Sequence, residues 1–371
     1  QILEPVPSDI ILMKSKLLWR NKEFKAAYVL ISEIDFETIS EIRKQYYLNL
    51  KAKCFEKYED FDKAYECFSK SNSLAKKSND YVRSNSENYF QTLRDHLTKL
   101  RSDPIQNPKI QSAKITEFNP VFLVGFPRSG TTLLDTILRS HSKIDVVEEQ
   151  PAVSAALALL AKDGYYNLAK NVVPIELLTE AKKVYELEFY QHIDGDKSAS
   201  IYIDKLPLNL LQVPLIQQIY PQAKFILALR HPLDTILSCW MQNFKLNSAM
   251  ANMVDLDRIV EFYCVAMETF KICRIKYNLS VHEIRYEDLL EDLRGETSAL
   301  IEFLNLDWEV QMENYQETAL KRGRINTPSY SQVVQPIYKE SKYRWLHYEK
   351  HLRQYLVDVE PWIDEYGYNK H

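Results

Sequence analysis

The fold of this 371-residue chain is decided by the stretch Val121-Phe122-Leu123-Val124-Gly125-Phe126-Pro127-Arg128-Ser129-Gly130-Thr131-Thr132-Leu133-Leu134. Phe122, Leu123 and Val124 form a continuous apolar run, the pattern of a parallel strand covered on both faces. Gly125 and Gly130 bracket a loop, in a chain that holds only seven glycines. Glycine there permits positive φ and lets the backbone approach a ligand closely. Ser129, Thr131 and Thr132 are placed to cap the helix that follows, whose first N–H groups and dipole attract an anion. The stretch reads as strand, anion loop, helix.

Its spacing approaches the nucleotide loop G-x-x-x-x-G-K-[ST], with Thr131 standing where the lysine belongs. That lysine reaches the β- and γ-phosphates of a nucleoside triphosphate. Its replacement argues against ATP or GTP hydrolysis and disfavours a nucleotide kinase. Arg128 supplies charge inside the loop, and its guanidinium can fork onto a phosphate or sulfate.

Toward the C terminus, strands and helices alternate. Strands are expected at Ile144–Val147, Ile201–Asp204, Lys224–Leu229 and Val281–Arg285. Helices are expected near Thr131–Ser140, Pro151–Lys162, Ile175–Gln191, Asn209–Ile219, Leu233–Asn243, Leu256–Tyr277 and Thr297–Phe303. The alternation implies an α/β domain, a P-loop-like parallel sheet with crossover helices, over 118–371. Residues 101–117, polar and carrying Pro104 and Pro108, read as a linker.

Residues 1–100 read as all-helical. Lys22-Glu23-Phe24-Lys25-Ala26-Ala27-Tyr28 matches Glu59-Asp60-Phe61-Asp62-Lys63-Ala64-Tyr65 at an offset of 37 residues. Each match opens the second helix of a pair: Ile11–Arg20 with Phe24–Ile34, then Ile39–Lys57 with Phe61–Ala75. A further helix is expected at about Asp80–Leu100. The pattern resembles degenerate tetratricopeptide repeats, with a generic helical bundle as the plainer alternative.

Composition sets bounds. A net charge of −4 implies no general basic surface for nucleic acid. No apolar run is long enough to span a bilayer. The five cysteines, Cys54, Cys67, Cys239, Cys264 and Cys273, are an odd count without metal-site spacing. They read as reduced thiols, and a cytoplasmic location is expected. The chain opens on Gln1, which leaves a removed leader open.

A second strand ends in Phe225-Ile226-Leu227-Ala228-Leu229-Arg230-His231-Pro232, and the helix after it carries Ser238. Arg230 and Ser238 form a second anion clamp. Two separated clamps fit a nucleotide phosphorylated at both its 3′ and 5′ positions. Over roughly residues 118–350 the chain resembles sulfotransferases that use 3′-phosphoadenylyl sulfate (PAPS). It resembles most the branch with the tyrosylprotein sulfotransferases and the bacterial sulfotransferases with an N-terminal tetratricopeptide region.

The resemblance implies roles. Arg128, Ser129, Gly130, Thr131 and Thr132 lie in the segment similar to the family's 5′-phosphosulfate loop. Arg230 and Ser238 match its 3′-phosphate motif. Glu148, in Val147-Glu148-Glu149, is the implied general base, with the adjacent Glu149 left open as the alternative. Lys205, in Asp204-Lys205-Leu206-Pro207, is the implied stabiliser of the transferring group. Tyr286, in Arg285-Tyr286-Glu287-Asp288-Leu289, is the implied nucleotide contact. Ser329-Tyr330-Ser331-Gln332-Val333-Val334-Gln335-Pro336 through Arg344-Trp345 resembles the loop that closes over the nucleotide, with Ser329 at its catalytic serine and Arg344 at a basic position.

The chain departs from that pattern in three places. Gln242 stands where the tyrosylprotein enzymes carry a second 3′-phosphate arginine. No histidine stands where the small-molecule sulfotransferases carry their base. A helical domain is expected where the animal enzymes carry a membrane anchor, which leaves the acceptor open: a tyrosine, a sugar, or a small alcohol or phenol.

The implied chemistry is in-line displacement at sulfur, releasing adenosine 3′,5′-bisphosphate (PAP), without a metal. Burial is expected to raise the base's pKa. The contrasting reading is a non-catalytic nucleotide-fold scaffold whose repeats bind a partner. The joint presence of Glu148, Lys205, Arg128, Arg230, Ser238 and Ser329 favours the enzyme. The helices are expected to select a peptide or protein partner or to mediate self-association.

Overall fold

The computed structural model describes residues 7–102, 118–162, 164, 173–193, 199–321 and 342–369. The chain forms two compact units, each assembled from separated stretches. One comprises Gln1–Gln91, Ile236–Phe262 and Arg344–Glu360; the other comprises Thr92–Thr235, Tyr263–Tyr343 and Pro361–His371. Of the expected linker at 101–117, residues 103–117 lie outside the described residues.

The first unit opens with α1 (Ser8–Arg20), α2 (Phe24–Ser32), α3 (Glu41–Lys57), α4 (Phe61–Lys76) and α5 (Asn79–Arg83), after which α6 (Ser86–Ser102) begins. The sequence repeat is also a backbone repeat. Lys22 and Glu59 both take left-handed conformations, at φ 64° and 59°. The residues after them, Glu23 (φ −81°, ψ 58°) and Asp60 (φ −89°, ψ 69°), take the same cap geometry. Their N–H groups reach back to equivalent carbonyls, Glu23 to Leu18 at 2.9 Å and Asp60 to Phe55 at 3.0 Å. Ala27 and Ala64 are fully buried, so a methyl is all that separates the paired helices there. Leu12, Ile31, Ile34, Tyr47, Leu50 and Cys54 lie in this unit's apolar core.

The second unit is built on a parallel sheet. In chain order it brings β1 (Val121–Gly125), α7 (Thr131–Arg139), β2 (Ile144–Glu148), α8 (Ala152–Lys162), α9 (Ile175–Tyr190), β3 (Ile201–Lys205), α10 (Val213–Ile219) and β4 (Lys224–Leu229). Then come α11 (Pro232–Trp240) and α12 (Leu256–Tyr277), whose stretch Ile236–Phe262 belongs to the first unit, and β5 (Ser280–Arg285), α13 (Tyr286–Glu291), α14 (Leu293–Phe303) and α15 (Tyr315–Lys321) in the second. Helix α16 (Glu349–Leu352) belongs to the first unit, and α17 (Leu356–Glu365) passes from the first unit into the second at Pro361.

The strand order is β2-β3-β1-β4-β5, and every pairing is parallel. The central strand β1 is buried at all five positions, which is why it reads as an unbroken apolar run. Leu123 packs with Leu134, Ile137, Ile226 and Ile301 on one face. Phe122 turns to the other face, where Tyr185, Tyr220 and Phe225 lie 5.7 to 6.4 Å away, centroid to centroid. The chain runs from β1 outward to β2, back to β3, then across to β4. The reversal makes the crevice at the carboxyl ends of β1 and β4 the place where open α/β sheets bind ligands.

Some expected elements shift. The helix expected at Asn209–Ile219 is a 3₁₀ segment, Pro207–Gln212, followed by α10. Pro214 has no N–H to give and fits only in a first turn, so a new helix starts just before it. The helix expected from Thr297 starts at Leu293, because the Asp292 side chain caps it by accepting from Gly295 N at 2.8 Å. No helix among the described residues is long and apolar enough to cross a membrane.

Candidate functional site

The loop after β1 is shaped by two positions where a side chain does not fit. A Cβ on Gly125 would stand 2.6 Å from Ala228 O and 2.7 Å from Ser129 Oγ. A Cβ on Gly130 would stand 2.7 Å from Tyr286 Cδ2, and Gly130 has φ 95°. Arg128 is also left-handed, at φ 71°, the kind of backbone strain found where a loop wraps a ligand. Gly130 itself occupies the N-cap of α7, and no side chain caps that helix. This corrects the expectation that Ser129, Thr131 or Thr132 would do so. With the cap taken by a left-handed glycine, Thr131 and Thr132 become the first helical residues. Ser129 Oγ is instead buried without a hydrogen-bond partner among the described residues. An orphaned hydroxyl in a cradle with no room for a Cβ, at a helix N-terminus, suits an anion.

Arg230 follows β4 directly. β4 pairs with β1 through Ala228 and Gly125, which brings Arg230 to the loop. Its Nη1 donates to Arg128 O at 3.4 Å, and its guanidinium carbon lies 5.2 Å from the Tyr286 ring centroid. Asp234, one turn further on, lies 3.9 Å from Arg230 Nη2 and accepts from Tyr343 N at 2.7 Å. Beside Tyr286, the buried Glu287 accepts from His231 N at 2.9 Å and from Tyr368 Oη at 3.1 Å. Burial pushes the Glu287 carboxyl up, against the His231 N–H that pulls it down.

The third group sits at the ends of β2 and β3, where the register pairs Glu148 with Lys205. Residues paired across a sheet point to the same face, so the two side chains meet. Lys205 is fully buried and donates to Glu148 Oε1 at 3.1 Å and to Glu149 Oε1 at 2.8 Å. Glu149 is left-handed, at φ 52°, and its N–H donates to Lys205 O at 2.8 Å. That turn brings two consecutive carboxylates onto one ammonium, where an extended strand would send them to opposite faces. The Glu148 side chain is 10% exposed and that of Glu149 is 43% exposed. Burial alone would lower the pKa of Lys205; Glu149, Glu148 and Asp135 outweigh it and hold it above the ordinary value. On the other face of β3, Asp204 is buried and accepts from Tyr185 Oη at 3.0 Å and Asn209 Nδ2 at 3.3 Å. Burial pushes its carboxyl up to about 7, while the Tyr185 hydrogen bond opposes the rise.

Arg128, Ser129, Gly130, Arg230 and Tyr286 thus converge, and Glu148 converges with Lys205. Ser238 lies on α11, in the stretch that packs with the helical unit. Arg344 belongs to the helical unit, where its guanidinium forks onto Glu56. Ser329 and its loop lie outside the described residues. Sequence reasoning had not singled out Asp234, Glu287 or Asp204. Each stands within four residues of a recognised position, and only the fold shows which neighbour it serves.

An uncharacterized protein of Aquifex aeolicus is 29% identical over 306 residues, which cover 81% of this chain and 39% of that protein. Protein-tyrosine sulfotransferase 1 of Danio rerio is 25% identical over 267 residues, 68% of this chain and 72% of the fish protein. Among solved structures, the sulfotransferase domain of a Synechococcus olefin synthase aligns with a TM-score of 0.45 at 17% identity, covering 71% of this chain and 98% of that domain. The model of the sulfotransferase family matches residues 120–310, just over half of the chain and the stretch that holds the anion loop, Lys205, Arg230 and Tyr286. The chain belongs to the sulfotransferase family.

Proposed function

We propose that this chain transfers a sulfuryl group from PAPS to an acceptor hydroxyl and releases adenosine 3′,5′-bisphosphate. The observation that carries this reading is Lys205, fully buried at the end of β3 and in contact with two consecutive glutamates, in a sheet whose central strand runs into the anion loop. The 5′ side of the donor falls to Arg128 and Ser129 and to the glycines that let the backbone approach it. Arg230 and Ser238 take the 3′-phosphate, and Tyr286 packs along the nucleotide.

A Glu148/Glu149 carboxylate takes the acceptor's proton as its oxygen bonds to sulfur. The bond from sulfur to the 5′-phosphate oxygen breaks, and that oxygen keeps the electron pair. Lys205 and Arg128 neutralise the charge that develops there. The greater exposure of Glu149 makes it the carboxylate an acceptor can reach. Glu148 then holds Lys205 from within the sheet. Ser329 and Arg344 complete the site in this reading.

The acceptor is a hydroxyl, and the protein-tyrosine sulfotransferases among the relatives put a peptide tyrosine among the candidates. The helical pairs form a tetratricopeptide-like array, supported by the backbone repeat at Lys22 and Glu59. The odd count of five cysteines, without metal-site spacing, favours a reducing, cytoplasmic setting.

Calorimetry with adenosine 3′,5′-bisphosphate, 5′-AMP and ATP tests the donor site. The bisphosphate should bind well above the other two, and Arg230→Ala should abolish the preference. Single-turnover assays with labelled PAPS then separate the glutamates. Glu149→Gln should lower turnover about 10²–10⁴-fold with bisphosphate affinity kept, the range for loss of a general base. No preference for the bisphosphate would sink the reading.

A further inference from the structure

Helix α1 carries a row of large apolar side chains on its outer side. Ile10, Met13 and Leu17 are 57%, 52% and 58% exposed, although Leu12 and Ser15 of the same helix are buried. Spacings of three and four residues put all three on one helix face. A single exposed leucine is ordinary, but a contiguous apolar row marks a contact surface.

The internal repeat shows what the face is built for. Moved along the chain by the offset of 37 residues, Ile10, Met13 and Leu17 fall on Tyr47, Leu50 and Cys54 of α3. Those three are buried, in one apolar cluster with Leu12 of α1, Ile31 of α2 and Ile34 just beyond it. Tyr28 of α2 adds its ring against Phe55 and Tyr58, at 6.0 and 4.9 Å. The first helical pair therefore covers on α3 the row that stays open on α1. The inner faces correspond as well: Leu12 and Ser15 fall on Asn49 and Ala52, and all four are buried. A repeat that ends an array needs a polar outer face to stay soluble. The outer face of α1 is instead that of an internal repeat.

We propose that this face of α1 docks a further helical repeat on the N-terminal side of the array, with aliphatic side chains at the places of Leu12, Ile31 and Ile34, stacked on α1 as the first helical pair is stacked on α3. A second copy of this chain does not offer that surface, because its own Leu12, Ile31 and Ile34 are buried in the cluster with α3. The inference concerns the helical repeats alone and stands apart from the reading of the donor site.

The test supplies such a repeat from the chain itself. A copy of residues 7–43, one period of 37 residues, is placed directly ahead of Pro7 in the full chain. Leu17→Cys in the original α1 serves as reporter, in chains with and without the copy. Leu17 is the equivalent of Cys54, so a cysteine suits the covered state, and at an exposed position it leaves the open state folded. Labelling by a maleimide, measured against the same chains without the reporter, should be fast in the unextended chain. The copy should slow it about tenfold or more, as for a thiol that reacts only when its contacts open. Met13→Cys should behave alike. Ile31→Asp within the copy should restore fast labelling, because it sets a charge against an apolar face. Fast labelling in the extended chain overturns the proposal, and so does protection that survives Ile31→Asp in the copy. A copy that adds no helical circular dichroism also overturns it, since the same two helices form on α3. Protection in the unextended chain that grows with protein concentration would give the face to a second copy and overturn it too.

Discussion

Gly130 shows how one residue can tie a loop to a neighbouring element. Its φ of 95° suits glycine, and the space above its Cα is filled by the Tyr286 ring. Two separable penalties therefore meet an alanine there. The left-handed backbone costs an L-residue about 1–2 kcal/mol, and the contact with Tyr286 Cδ2 adds to it. Urea unfolding of Gly130→Ala should show at least that loss. Repeated in a Tyr286→Ala background, the same substitution should cost only the backbone part. An equal penalty in both backgrounds would mean the ring does not press on the loop. The sequence made the glycine conspicuous, because two of seven fall within six residues. It could not show that Tyr286 is what lies against it, since that contact joins positions more than 150 residues apart.

At the level of elements, β3 keeps two chemistries apart by strand alternation. Lys205 faces the glutamates, while Asp204 faces the aromatic layer of Tyr185 and Tyr220. An apolar strand ending in Asp-Lys marked the site in the sequence, but the alternation gives the two residues opposite fates. Asp204 titrates at about 7 in the folded chain, above the ordinary carboxyl value of 3.8, because burial disfavours its ionised form. The sign follows from proton binding. Below pH 4 both folded and unfolded chains hold this proton. Between about 4 and 7 the unfolded chain releases it while the folded chain keeps it, so this group's contribution to stability falls as pH rises. Above 7 both are ionised and the loss is complete. Asp204→Asn, which keeps the hydrogen-bonding shape without the charge, should flatten that slope in unfolding measured from pH 4 to 8. An unchanged slope would place the titration elsewhere. Strands β1 and β4 were legible because each is a short apolar run. The 3₁₀ segment before α10 was not, since the periodicity of Leu208 to Ile219 suits one helix as well as two and only Pro214 separates them.

At the level of the molecule, the helical repeats were readable as hairpins, and the offset of 37 residues found in the sequence recurs in the backbone at Lys22 and Glu59. What completes their unit was not readable. Ile236–Phe262 and Arg344–Glu360 join it from far along the chain, and no local pattern announces contacts at such separations. Those contacts are extensive. Arg344 and Tyr348 both reach Glu56, the Tyr348 hydroxyl at 2.7 Å. Lys350 and His351 meet Asp62 at 3.1 and 3.0 Å, and the His351 ring stacks on Tyr65 at 3.7 Å. Trp240 leans on Tyr65 and Phe68. A fragment 118–371 would keep Trp240 and Tyr348 but lose the helices they pack on. Each such aromatic buries about 150–250 Å², worth several kcal/mol at about 25 cal/mol per Å². A domain's whole margin is only about 5–15 kcal/mol. The fragment should therefore lack native near-UV circular dichroism and should aggregate, whereas the full chain should show the aromatic signal and a defined elution volume. A soluble, monodisperse fragment with a native aromatic spectrum would mean that the α/β region stands without the repeats, and that the stretches Ile236–Phe262 and Arg344–Glu360 find their order elsewhere.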